Sequence, residues 1–81
     1  MIRSFKDKDT ESVFRQRWVR KLHPIAGVAL RKLVQIDSAE ELRDLKGNRA
    51  GQYSIRINDR YRVCFRWKNG HAYDVGIADY H

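Results

Sequence analysis

The sequence predicts an α+β fold in which helices pack on one face of an antiparallel sheet. Three observations carry this. Apolar residues recur at helical spacing only in the first half of the chain, period-two alternation begins after Asp44, and a polar, glycine-containing stretch from Leu45 to Gly51 separates the two regimes. The predicted order is an N-terminal strand, two helices, then a three-stranded antiparallel meander. With 81 residues, the chain (1–81) has room for one domain.

Each element has its own signal. Ile2 to Phe5 reads as a short strand, and Asp7 to Thr10 offers N-cap side chains, with Glu11 suited to a helix N-terminus. Phe14, Trp18 and Leu22 share a helical face, so the first helix is expected to run to Leu22–His23, where Pro24 stops it. A second helix starts at Pro24 or Ile25 and buries Ala26, Ala29, Leu30, Leu33 and Ile36. Ser38 before Ala39–Glu40–Glu41–Leu42 reads as a fresh N-cap and a further short helical turn. Three strands follow, at Gln52–Ile57, Tyr61–Trp67 and Ala72–Asp79.

Within the meander the odd positions are apolar, from Tyr53, Ile55 and Ile57 through Val63, Phe65 and Trp67 to Tyr73, Val75 and Ile77. The even positions, including Arg56, Arg62, Cys64, Arg66, Asp74, Gly76 and Ala78, form a second face that is basic and lined by small residues. Keeping the apolar residues together pairs Ile57 with Tyr61 and sets Arg56 opposite Arg62, a like-charge pair that costs stability and suits an anion. Lys68–Asn69–Gly70 reads as a three-residue loop with Trp67 opposite His71. On that register Tyr80 falls about 13 Å beyond the residue facing Arg62, at ~3.3 Å per residue.

The charge balance points the same way. Seventeen Lys and Arg against ten acids give a net charge of +7, and the pI is near 10.0. Such a domain suits a polyanion such as nucleic acid, or an acidic protein. The single cysteine, Cys64, excludes an internal disulfide and a Cys-rich zinc site, and His23, His71 and His81 lack ligand spacing. No phosphate-cradling glycine loop, nucleophile elbow or dinucleotide fingerprint occurs. No apolar run is long enough to span a bilayer, and the start, Met1 to Asp7, lacks a signal core, so no membrane association and a cytoplasmic location are expected.

The run from Leu45–Lys46–Gly47–Asn48–Arg49 through Tyr53–Ser54–Ile55–Arg56 to Tyr61–Arg62–Val63–Cys64–Phe65 resembles the HigB branch of the RelE toxin superfamily. The opening Met1–Ile2–Arg3–Ser4–Phe5 and the closing Asp79–Tyr80–His81 are similar to it too. The resemblance covers nearly the whole chain and implies a RelE-like fold. It also implies the toxin of a type II toxin–antitoxin pair, an endoribonuclease that cuts mRNA in the ribosomal A site, beside 16S rRNA; the residue chemistry itself leads us to expect no metal or other cofactor. The implied partner is a HigA-type helix-turn-helix antitoxin, with operator DNA reached only through it. Carried over by motif, Lys46, Arg56, Arg62, Tyr80 and His81 are the implied catalytic residues, while Arg49, Arg66 and Asp79 contact substrate. Related toxins have a longer, Pro–Gly-containing loop before the Leu-x-Gly motif, whereas here Glu41–Leu42–Arg43–Asp44 runs directly into it. Two other readings of the residues are a ParE-like, gyrase-inhibiting toxin and a non-catalytic basic nucleic-acid-binding module.

Overall fold

The computed structural model describes residues 1–41 and 52–79. Their elements are α1 (Lys8–Phe14), a 3₁₀ helix (Arg20–Ile25), α2 (Ala26–Ser38), β1 (Tyr53–Arg56), β2 (Tyr61–Lys68) and β3 (His71–Asp79). The strands form an antiparallel sheet in the order β1-β2-β3, the α+β arrangement that the periodicity predicts.

Helix α1 begins where expected, because the Asp7 side chain accepts a hydrogen bond from the Thr10 N–H at 2.7 Å. It ends eight residues short of Leu22. Gln16 takes a left-handed φ of 60°, the Arg17 N–H reaches the Ser12 carbonyl at 2.8 Å and the Gln16 N–H reaches Val13 at 3.0 Å. That pair of bonds closes a Schellman turn. Trp18 therefore leaves the expected helical face, stays 69% exposed and lies against the His23 ring with centroids 4.1 Å apart. Leu22 is still buried, but from the 3₁₀ helix, which accommodates Pro24. Helix α2 buries Ala29, Leu33 and Ile36 as its spacing predicts. Ser38 is its last residue rather than a new N-cap, since Ala39 turns extended at the C-cap.

The expected N-terminal strand is reduced to two isolated parallel bridges to β3, Ile2 with Ala72 and Phe5 with Val75. A bulge explains the gap. Asp74 adopts φ 52° and its N–H turns to the Ser4 hydroxyl at 2.8 Å instead of to a ladder carbonyl. Farther along the same edge, the fully buried Thr10 accepts a hydrogen bond from the Ile77 N–H at 2.9 Å. The hydroxyl thus binds α1 to the sheet and satisfies a β3 donor that has no strand beside it.

The first hairpin has the predicted register: Arg56 faces Arg62, Ile55 faces Val63, and the Ile57 N–H donates to the Tyr61 carbonyl at 2.9 Å. The second hairpin departs from prediction. Asn69 and Gly70 both have positive φ, 52° and 80°, so the loop is a two-residue type I′ turn with Lys68 opposite His71 and Trp67 opposite Ala72. The bulge adds a second offset, so Cys64 faces Gly76 and Arg62 faces Ala78. Parity is therefore reversed in the first residues of β3. Ala72 is fully buried against the helices, and Tyr73, expected there, pairs with Arg66 on the other face. No helix among the described residues is long and apolar enough to cross a membrane.

Candidate nucleic-acid interface

The sheet face turned away from the helices carries the candidate site. Strand β2 lays Arg62, Cys64 and Arg66 along it, because alternate residues share a face. β1 adds Ser54 and Arg56 opposite Cys64 and Arg62, and β3 adds Ala78 and Gly76. The residues between the cations are small, and the stem of Lys6 and an Asp7 carboxylate oxygen lie over the buried Gly76.

The cations are not equivalent. Arg62 is half-buried, and its Nε donates to the Ser54 hydroxyl at 3.0 Å. Among the described residues no carboxylate pairs with it, so its remaining guanidinium donors are left without an acidic partner there. Arg56, directly opposite, is instead ion-paired with Asp59 in the hairpin loop and lies open to solvent. Arg66 is paired with Asp74 at 3.2 Å. The structure thus brings together Arg56, Arg62 and Arg66 of the predicted site, with Arg62 the one whose charge is left uncompensated by any described acid.

Asp79 is placed elsewhere. It pairs with Tyr61 across the ladder, which puts it on the opposite face from Arg62. Its carboxylate accepts from Arg60, with Nε at 3.0 Å and Nη2 at 2.9 Å from Oδ2. The Arg60 guanidinium also covers the Tyr61 ring at 5.2 Å, and the hydrogen bond and charge of Asp79 raise its pKa further above the ordinary arginine range. Lys46, Arg49, Tyr80 and His81 lie outside the described residues.

Three residues beyond the predicted set belong to this description. Ser54 orients Arg62, and its even position between Gln52 and Arg56 was a legible sign. Arg60 grips Asp79, which no spacing announces. Lys6 reaches the same face from the N-terminal segment, where a side chain added at Gly76 would meet its Cβ at 3.1 Å. His71 is no part of the cationic row. Its Nε2 lies 3.4 Å from Arg3 Nη2, its Nδ1 is buried with no hydrogen-bond partner among the described residues, and desolvation, then Arg3 and the N-terminal ammonium, lower its pKa below the usual value.

The family of RelE-like HigB toxins of type II toxin–antitoxin systems matches residues 1–81. This chain belongs to that family. Among curated relatives, the Endoribonuclease HigB of Proteus vulgaris is 34% identical over 93 aligned positions covering all of both chains. Toxin HigB-1 of Vibrio cholerae serotype O1 is 34% identical over 85 positions, covering 89% of this chain and 90% of its own. An alignment of 93 positions over an 81-residue chain means that the Proteus protein has residues this HigB-family toxin lacks. Membership of a type II system implies an antitoxin partner.

Proposed function

We propose that this HigB-family toxin is an endoribonuclease that cuts mRNA in the ribosomal A site, with its substrate on the basic face of the meander. One observation carries the reading: Arg62 stands half-buried against Ser54, with no acidic partner among the described residues, opposite a second arginine. An arginine in that setting serves an incoming phosphate better than it serves the fold, since like charges directly opposite weaken a sheet. Family membership and the name of the Proteus relative support the same chemistry.

RNA supplies its own nucleophile, the 2′-hydroxyl beside the scissile phosphate. That hydroxyl gives its proton to a base, the O2′–P bond forms, and the P–O5′ bond breaks as the 5′-oxygen receives a proton. The products are a 2′,3′-cyclic phosphate and a 5′-hydroxyl. Arg62 neutralises the charge that builds on the phosphorane oxygens, and Arg56 leaves Asp59 to join it. Lys46 adds a point charge, and Arg49 and Arg66 hold flanking phosphates. His81 moves the proton, a role suited to an imidazole at neutral pH, while Tyr80 stacks on a base or relays that proton. The observed register supports this assignment. Arg62 faces Ala78 rather than Gly76, so its partner stands two positions, not four, before Tyr80 in the sequence.

Outside the ribosome the substrate is unoriented, so naked RNA is a poor substrate. The proposed partner is a HigA-type helix-turn-helix antitoxin, through which alone the toxin reaches operator DNA, and the cytoplasm is where ribosome and toxin meet. Primer extension on mRNA from cells producing the toxin tests the proposal. Codon-phased cuts that vanish in Arg62→Ala and His81→Ala are expected, and unphased or persistent cuts reject it.

A further inference from the structure

We propose that Lys6 is a further RNA-backbone contact, holding a phosphodiester next to the one at Arg62. The inference rests on the reading of this face as an RNA interface. The Lys6 N–H donates to the Val75 carbonyl at 2.8 Å while Phe5 bridges Val75. Because neighbouring side chains point to opposite faces, Phe5 packs against the core and Lys6 emerges on the basic face. Gly76 lets it lie there: an added Cβ would meet Lys6 Cβ at 3.1 Å, Asp7 Oδ2 at 3.3 Å and Lys6 Cδ at 3.4 Å, so the lysine stem rests on the bare glycine beside the Asp7 carboxylate.

A cleft of about 180 Å³ opens beside it, lined by Lys6, Gln52, Cys64, Phe65, Arg66 and Asp74. That is smaller than the roughly 300 Å³ at which small-molecule pockets begin, which suits a phosphodiester better than a whole nucleotide. Arg66 is already paired with Asp74 at 3.2 Å. Lys6 is in no ion pair among the described residues: the Asp7 carboxylate beside its stem caps α1 through Oδ1, which leaves the Lys6 ammonium as the cleft's unpaired cation among the described residues. Cys64 faces Gly76 and is two residues from Arg62, ~7 Å along the strand, so the phosphate at Lys6 is a neighbour of the scissile one.

The test is binding of a fluorescein-labelled, 2′-O-methyl RNA decamer, which resists 2′-hydroxyl cleavage, to the full-length toxin between 50 and 200 mM salt. Each phosphate contact to single-stranded RNA contributes about 0.7 to the slope of log K against log salt. Lys6→Gln is expected to reduce that slope by about 0.7 and weaken binding about three- to tenfold, and Lys6→Arg to restore both. Arg31→Gln, an exposed charge on the helical side, is expected to leave the slope unchanged. Equal slopes and affinities for Lys6→Gln and Arg31→Gln overturn the proposal. Cleavage by Arg62→Gln decides the underlying reading separately: if cleavage is lost there while Lys6→Gln binds normally, only the lysine assignment falls.

Discussion

Replacing Arg62 with glutamine separates a residue kept for the fold from one kept for substrate. Among the described residues the side chain makes one hydrogen bond, Nε to Ser54 Oγ at 3.0 Å, worth about 1 kcal/mol. Against this stands its position directly opposite Arg56, a like-charge pairing that costs a few tenths of a kcal/mol or more. Removing the charge therefore changes stability by less than about 1 kcal/mol, which is at most ~4–8 °C in Tm for a domain of this size. Loss of one preorganised donor to a transition-state oxyanion costs far more activity, ~10²–10³-fold in kcat. Single-turnover cleavage of mRNA on programmed ribosomes measures the second quantity and thermal unfolding the first. A variant that cuts within threefold of the parent refutes the catalytic role. One that loses more than ~10 °C refutes the claim that the fold does not depend on this side chain.

Other substitutions test the surrounding structure. Thr10→Val keeps the shape but strips the acceptor from the Ile77 N–H, and urea unfolding is expected to show a loss of ~1–3 kcal/mol, with Thr10→Ser losing less. Gln16→Gly relieves a left-handed residue at the end of α1 and is expected to raise the unfolding free energy measured in urea by about 0.5–1 kcal/mol after the added chain entropy. His71 has a lowered pKa in the fold, so below its ordinary value near ~6.5 the unfolded chain binds the extra proton first. Stability is expected to be full above pH ~6.5 and to decline as the pH falls toward the folded pKa, and a stability–pH series in which His71→Gln keeps the same slope rejects this. Asp59→Asn releases Arg56 from its ion pair and is expected to tighten binding of single-stranded RNA, measured by fluorescence anisotropy.

Much of the architecture was legible because side-chain period is a local property. Alternation placed Val63, Phe65 and Val75 in the core and Arg62 with Arg56 on the far face, and the loop from Asn58 to Arg60 fixed their register. What failed depended on backbone choices that leave little trace in composition. Gln16 ends α1 in a conformation that glycine usually takes, so Phe14, Trp18 and Leu22 looked like one helical face. Asn69–Gly70 carried a legible type I′ signal, but counting Lys68 into the loop displaced the register by one. Lys6 could not be found by period at all, because a parallel bridge formed about 70 residues apart in sequence brings it to Gly76. Lys46, Arg49, Tyr80 and His81 entered through the family resemblance, not through spacing.

The two departures in the second hairpin bear directly on the site. A tight Asn69–Gly70 turn alone would keep a single offset along the whole of β3. The extra residue at Asp74 adds another, and it does so where the N-terminal segment crosses, with Ser4 taking the displaced Asp74 N–H. The result is that Gly76 and Ala78, two of the three smallest residues of β3, come to lie opposite Cys64 and Arg62. Without the bulge, bulkier neighbours would stand there and the N-terminal lysine would have no bare backbone to cross. The same local irregularity that breaks the edge ladder therefore clears the floor of the basic face, which is why a bulge beside a working surface is better read as part of that surface than as a defect.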